Sequence, residues 1–223
     1  MRNRLLAGAA VAAAALAVLP ALPASAAGSA VLATGGTGGT PVAVGDVLTA
    51  SLASGTVATM YSSAAGGTGV KCSSSSFSAT VVSNPAAPGT AVESLTTQTF
   101  ANCSTVNVPG VLGVNSLTVN NLAYTNSVSD AAGNPATLAP GSAGPIQTTV
   151  VLRTLLGTVT CKYQANPTSL SGTTSNTNQS IGFANQTFSL SSGPGTCFAN
   201  GYFTAAYGPV ADTGQGGASV YVN

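Results

Sequence analysis

The sequence has no histidine, and only 4% of its 223 residues are charged. Without histidine there is no Ser-His-Asp or Cys-His machinery, no common zinc site and no imidazole pH switch. Four carboxylates remain for acid and base chemistry: Asp46, Glu93, Asp130 and Asp212. A glycosidase would set two of them roughly 5–10 Å apart across a cleft. Glu93 and Asp130 are the pair to imagine there, but no motif joins them. No DxDxDG run is present, which leaves isolated Asp130 with backbone carbonyls as the calcium arrangement on offer. The many glycine pairs lack the GxxxxGK[ST] pattern of a phosphate loop. These gaps argue against an enzyme, and they nominate no catalytic residue, cofactor or metal ligand.

Positive charge is equally scarce. Beyond Arg2 and Arg4 there are Lys71, Arg153 and Lys162. An ordinary soluble domain has about a quarter of its residues charged. This surface must instead be built from Ser, Thr, Asn, Gln and Gly. Such a surface has almost no long-range field, so nucleic acid and other polyanions are excluded as electrostatic partners. Near-zero net charge also removes repulsion between copies, so the expected partner is the chain itself or a polymer of the cell envelope.

What is present begins with an export signal. Arg2 and Arg4 precede an apolar run over residues 5–19, and Ala24-Ser25-Ala26 forms a small-x-small cleavage site. The run falls short of the roughly 20 residues that span a bilayer, and Pro20 and Pro23 follow it. Asn3 separates the arginines, which points to general secretion rather than a twin-arginine route. A signal peptide over residues 1–26 leaves 197 residues with a net charge of −1 and no membrane-spanning segment, expected outside the cell or at its envelope.

Four cysteines in an exported chain imply two disulfides. Cys72–Cys103 and Cys161–Cys197 are the expected pairs, because each brackets a β-rich segment with polar turns inside it. No two cysteines lie within four residues of each other, so neither a CxxC redox pair nor a zinc site is encoded.

Residues 27–44 read as a flexible Gly-rich leader with Val42 and Val44 as its anchors, and the folded domain is expected over residues 45–223. Strands at 46–52 and 56–61 make an expected hairpin. The first cystine unit runs from Cys72 through an alternating strand to residue 83, turns at Asn84-Pro85 and Pro88-Gly89, and returns to Cys103. On the return, Val92, Ser94, Thr96, Gln98 and Phe100 share a parity that Leu95 breaks. Ser73 to Ser76 read as solvated surface. Residues 130–145, with three prolines and three glycines, read as a long loop or a boundary between two halves. Apolar residues on both parities of 146–163 predict a central strand, and the β-branched block Thr148-Thr149-Val150-Val151 argues against a helix there. Arg153, inside that strand, faces solvent or pairs with a carboxylate such as Glu93. The whole predicts an all-β sandwich or Greek-key barrel of 8–11 strands, with Phe77, Phe100, Phe183, Phe188 and Phe203 in its core.

The segments Val70-Lys71-Cys72, Phe77-Ser78-Ala79-Thr80-Val81 and Leu95 to Phe100 with Cys103 resemble a broad group of small exported actinobacterial β-proteins of unassigned function. The resemblance covers residues 69–128. It implies an exported β scaffold and carries no activity with it. The expected function is that of a non-catalytic, cell-surface-associated protein with a tendency to self-associate. The alternative is a carbohydrate-binding module that uses Tyr124, Tyr163, Tyr202 and Tyr207 as stacking surfaces beside Asn and Gln side chains.

Overall fold

The structure, a computed structural model, describes residues 29–223, so the expected signal segment lies outside the described residues. Sixteen strands follow one another: β1 Leu32–Thr34, β2 Thr40–Pro41, β3 Val47–Ser51, β4 Ala58–Tyr61, β5 Gly69–Ser83, β6 Thr90–Val106, β7 Val111–Asn120, β8 Tyr124–Ser129, β9 Pro135–Ala139, β10 Gln147–Thr154, β11 Gly157–Ala165, β12 Leu170–Ser175, β13 Ser180–Ser192, β14 Asn200–Tyr207, β15 Ala211–Asp212 and β16 Ala218–Val222.

Eight of them close a ring of antiparallel ladders in the order β4, β5, β6, β8, β9, β12, β13, β14 and back to β4. The fold is therefore all-β as expected and, of the sandwich and the barrel, it is a closed barrel; strands outside the ring bring the total to sixteen, above the 8–11 expected, because short edge segments pair along the long strands. Long strands carry the surplus. One edge of β13 is shared between β12 and β11, and β11 continues into β10 and β7. The segment 146–163, expected as one central strand, is instead a hairpin: the chain turns at Leu155-Leu156, so β10 pairs back onto β11 and has β7 on its other edge, and Arg153 on it is exposed. One edge of β5 takes β4 at Gly69 to Cys72 and β3 at Ser76 to Thr80. The hairpin expected from residues 46–52 and 56–61 is thus not formed. The two segments dock end to end on one 15-residue strand, which frees β4 to pair with β14 and close the ring.

Two further expectations are corrected. The leader is not loose from Ser29 onward: Val31, Leu32 and Ala33 are buried, and β1 pairs with β16. Asn84 in the β5–β6 turn holds it, donating to the carbonyls of Leu32 and Val42 and accepting from Leu32 N, each at 2.8 Å. Val42 is buried as expected, whereas Val44 is exposed. Residues 130–145 are no boundary either, because β9 lies within them and sits in the ring between β8 and β12.

The broken alternation of β6 is a β-bulge. Ala91, Glu93 and Leu95 are buried; between the pairs Ser78–Thr97 and Ala79–Leu95 the ladder slips by one residue, and the inward set becomes Gln98 and Phe100. An extra residue in one strand transfers every later side chain to the opposite face. Ser75, in the serine run read as surface, is buried. Phe100, Phe203 and Phe188 stack edge to face inside, as do Phe77 and Tyr207. Both expected disulfides are formed, and Cys72 and Cys103 lie directly opposite each other on β5 and β6. Two disulfides are consistent with an oxidising compartment.

Candidate functional site: a cavity inside the barrel

Eight-stranded barrels are just wide enough either to be filled by side chains or to hold one small ligand. This one retains a cavity with about 100 Å³ open to the centre of a water molecule. By that measure one water needs roughly 10–15 Å³, so a molecule of several heavy atoms fits. Phe77, Leu95, Phe100, Leu138, Ile181 and Phe183 are among its walls, and Leu117 and Val119 of β7 cover the flank that β6 leaves beyond its ladder with β8.

Two polar clusters interrupt this lining. In the first, Ser75, Gln98 and Tyr207 form a closed network. The Ser75 hydroxyl donates to Thr99 O at 2.6 Å, and the Tyr207 phenol, 3.0 Å from Ser75 Oγ, donates to it. Gln98 Nε2 donates to Ser75 Oγ at 2.8 Å and to the Tyr207 oxygen at 3.0 Å. Burial pushes the Tyr207 phenol up to about 12, against the opposing pull of its bonds to Ser75 and Gln98.

In the second, Glu93 on β6 lies opposite Asn126 on β8, and Asn126 Nδ2 donates to Glu93 Oε2 at 2.8 Å. Both residues are buried, at 5% and 6% exposure. Burial raises the Glu93 carboxyl from 4.5 to about 7, and the bond from Asn126 only partly offsets it. Asn126 Oδ1 is buried with no hydrogen-bond partner among the described residues. Glu93 and Asn126 also border a smaller space below Leu32, Leu48, Val220 and Val222, so they stand between the main cavity and the one beneath the β1–β16 layer. Arg153 is exposed and does not meet Glu93.

The four tyrosines proposed as stacking surfaces do not share a face. Tyr124 and Tyr207 are buried and both line the cavity wall. The Tyr124 hydroxyl donates to Asn120 O and accepts from Gln147 N at 3.0 Å, and burial raises its phenol above the usual range. Tyr163 on β11 is also buried, its phenol likewise raised by burial, beside a different small space. Only Tyr202, half-buried on β14, retains exposed ring surface. Stacking on sugar needs exposed aromatic faces, and strand alternation has turned three of these inward.

The remaining carboxylates serve the scaffold. Both Asp130 oxygens accept from Gly89 N, at 3.0 and 3.1 Å. Asp212 is fully buried; Oδ1 accepts from Gly214 N at 2.8 Å, while burial and neighbouring Asp46 raise its carboxyl above the ordinary range. A Cβ at position 214 would collide with Asp46 Oδ1, which explains glycine at that position. Among the described residues no group of three or more His, Cys, Asp or Glu could hold a metal ion.

Compared with known protein families, curated proteins and solved structures, the chain matches none. The functional reading therefore rests on the cavity and its two polar clusters.

Proposed function

We propose that the chain is an exported, non-catalytic binding protein whose barrel encloses one small, mainly apolar molecule at or beyond the cell envelope. The observation that carries this reading is the apolar cavity within the barrel with a buried, ion-unpaired carboxyl in its wall. Convergence of an apolar pocket, few polar groups and a perturbed carboxyl is the usual signature of a small-molecule site. The sidedness of the barrel agrees. Ser73, Ser74, Thr96, Thr97, Thr99 and Asn102 are exposed on β5 and β6 while Phe and Leu side chains point inward, the reverse of a barrel that faces lipid. The signal segment and the two disulfides support export.

Isothermal calorimetry with a series of small aromatic and aliphatic compounds tests the reading, with Leu138→Trp as the control that fills the cavity. Saturable one-to-one binding that Leu138→Trp removes is the expected result. Failure of every compound to bind the wild-type chain sinks the proposal.

A second reading, association of the chain with itself at the cell surface, has one observation in its favour. Leu155 and Leu156 at the tip of the β10–β11 hairpin are 77% and 102% exposed. Leu112 at the start of β7 is exposed beside that end of β10, and apolar surface of this kind marks contact sites. Sedimentation of the wild type and of a Leu155→Ser, Leu156→Ser double variant decides it: a wild-type oligomer that the variant dissolves supports the reading, and a wild-type monomer at all concentrations ends it.

A further inference from the structure

At one place in the cavity wall acceptors outnumber donors. The Glu93 carboxyl receives a single hydrogen bond, from Asn126, and Asn126 Oδ1 receives none. Both side chains are more than nine-tenths buried. Among the described residues, no lysine or arginine lines either space that they border. Of the cations on the described strands, Lys71 and Arg153 are exposed, and Lys162 is half-buried on β11, outside the lining. An ionised carboxylate beside an unpaired amide oxygen in an apolar chamber lacks both positive charge and N–H groups. Phe77, which borders the same two spaces, adds an aromatic ring of the kind that attracts a cation. The Ser75–Gln98–Tyr207 network, by contrast, offers no such vacancy, because its donors are already engaged.

We infer that the ligand is a small apolar amine, bound as its ammonium ion, whose N–H groups donate to the Glu93 carboxylate and, with a turn of the amide, to Asn126 Oδ1. The inference rests on the cavity-binding reading above and names the ligand class. A neutral apolar molecule would leave the acceptors unmatched, and an anion would meet Glu93 with like charge. Affinity for an amine then depends on pH in a defined direction. Only ionised Glu93 forms the pair, and burial holds that carboxyl at about 7. Affinity rises by about tenfold per pH unit as pH climbs towards 7 and levels off above it, as mass action requires when one proton must leave. Across the ladders Glu93 faces Val81 on β5 and Asn126 on β8. The other ionisable side chains lining the two spaces are Tyr124 and Tyr207, phenols that burial keeps neutral in this range.

Calorimetry of the oxidised chain with benzylamine, benzyl alcohol and toluene at pH 5.5, 6.5 and 7.5 tests the inference, with Glu93→Gln as the variant. The expected result is benzylamine binding about tenfold or more tighter than benzyl alcohol at the highest pH. That advantage shrinks on acidification and is lost in Glu93→Gln, which still binds the alcohol and toluene. Proton release on benzylamine binding, read from wild-type heats in buffers of different ionisation enthalpy, gives a second readout that does not depend on the variant. Equal binding of all three compounds, or an amine preference that survives Glu93→Gln, overturns the amine inference and leaves the cavity reading standing. Binding of none of them overturns both.

Discussion

Ser75–Gln98–Tyr207 and Glu93–Asn126 border the same cavity, and they meet the cost of burial in opposite ways. In the first cluster each hydroxyl and amide hydrogen has an acceptor within hydrogen-bond distance. In the second, Asn126 Oδ1 and one oxygen of Glu93 go without a donor, and a carboxyl is held near neutrality by burial. A saturated buried network ties strands together and asks nothing of a ligand. An unsaturated one is costly in the empty barrel and becomes favourable once a donor arrives. That difference separates a structural cluster from a site more sharply than composition does, since both are built from ordinary polar residues.

The contrast can be broken most severely at Glu93. Its folded carboxyl titrates above the ordinary value, at about 7 rather than 4.5, so the folded chain binds this proton more tightly than the unfolded chain does. Stability from this group is complete below pH 4.5 and declines as pH rises to about 7. Between pH 4 and pH 8 the wild type should lose about 3 kcal/mol relative to Glu93→Gln, read from urea unfolding. Identical pH profiles would mean that Glu93 is solvated.

Tyr207→Phe should act in the other direction and by less. It leaves Ser75 and Gln98 without their shared partner and costs about 1–3 kcal/mol at neutral pH. Its pH signature is alkaline: the folded phenol titrates at about 12 against an ordinary 10, so the wild type alone should lose stability as pH climbs through that window. A Tyr207→Phe chain as stable as the wild type would remove the distinction between the two clusters. Arg153→Ala sharpens the comparison from outside. Because Arg153 is exposed and apart from Glu93, the change should cost less than about 0.5 kcal/mol and leave the Glu93 titration, followed by carboxyl NMR, where it was. A moved titration would put a cation back beside the carboxyl.

The two cystine units show how far the sequence could be read. Their spacings, 31 and 36 residues, are alike, and both pairings were legible from the β-rich segments that they enclose. Their surroundings differ in ways that spacing does not reveal. Cys72 and Cys103 face each other across one long hairpin, whereas Cys161 on β11 reaches a cysteine in the loop before β14, with β12 and β13 between them in the chain. Glu93 was visible as one of four acids, but its parity was obscured. The bulge that slips the ladder between Leu95 and Thr97 hides the shared face of Glu93, Leu95, Gln98 and Phe100. Ser75 was concealed in a run of four serines that looked like surface, and Asn126 by a neighbourhood of small polar residues. The leader and β9 were misread because Gly, Ala, Thr and Pro signal looseness only until a distant strand offers them an edge.

The sequence alone determined the all-β class, the pairing of its four cysteines and the shortage of catalytic side chains. Those features follow from composition and from alternation along single segments, which are local properties. Tertiary structure decided that β4 and β14 meet to close the barrel, that a bulge brings Gln98 and Phe100 onto the inner face with Glu93 and Leu95, and that three of the four candidate tyrosines are buried. Ring closure and register depend on hydrogen bonds between residues far apart in the chain, and a slip of one residue exchanges the inner and outer faces of a strand.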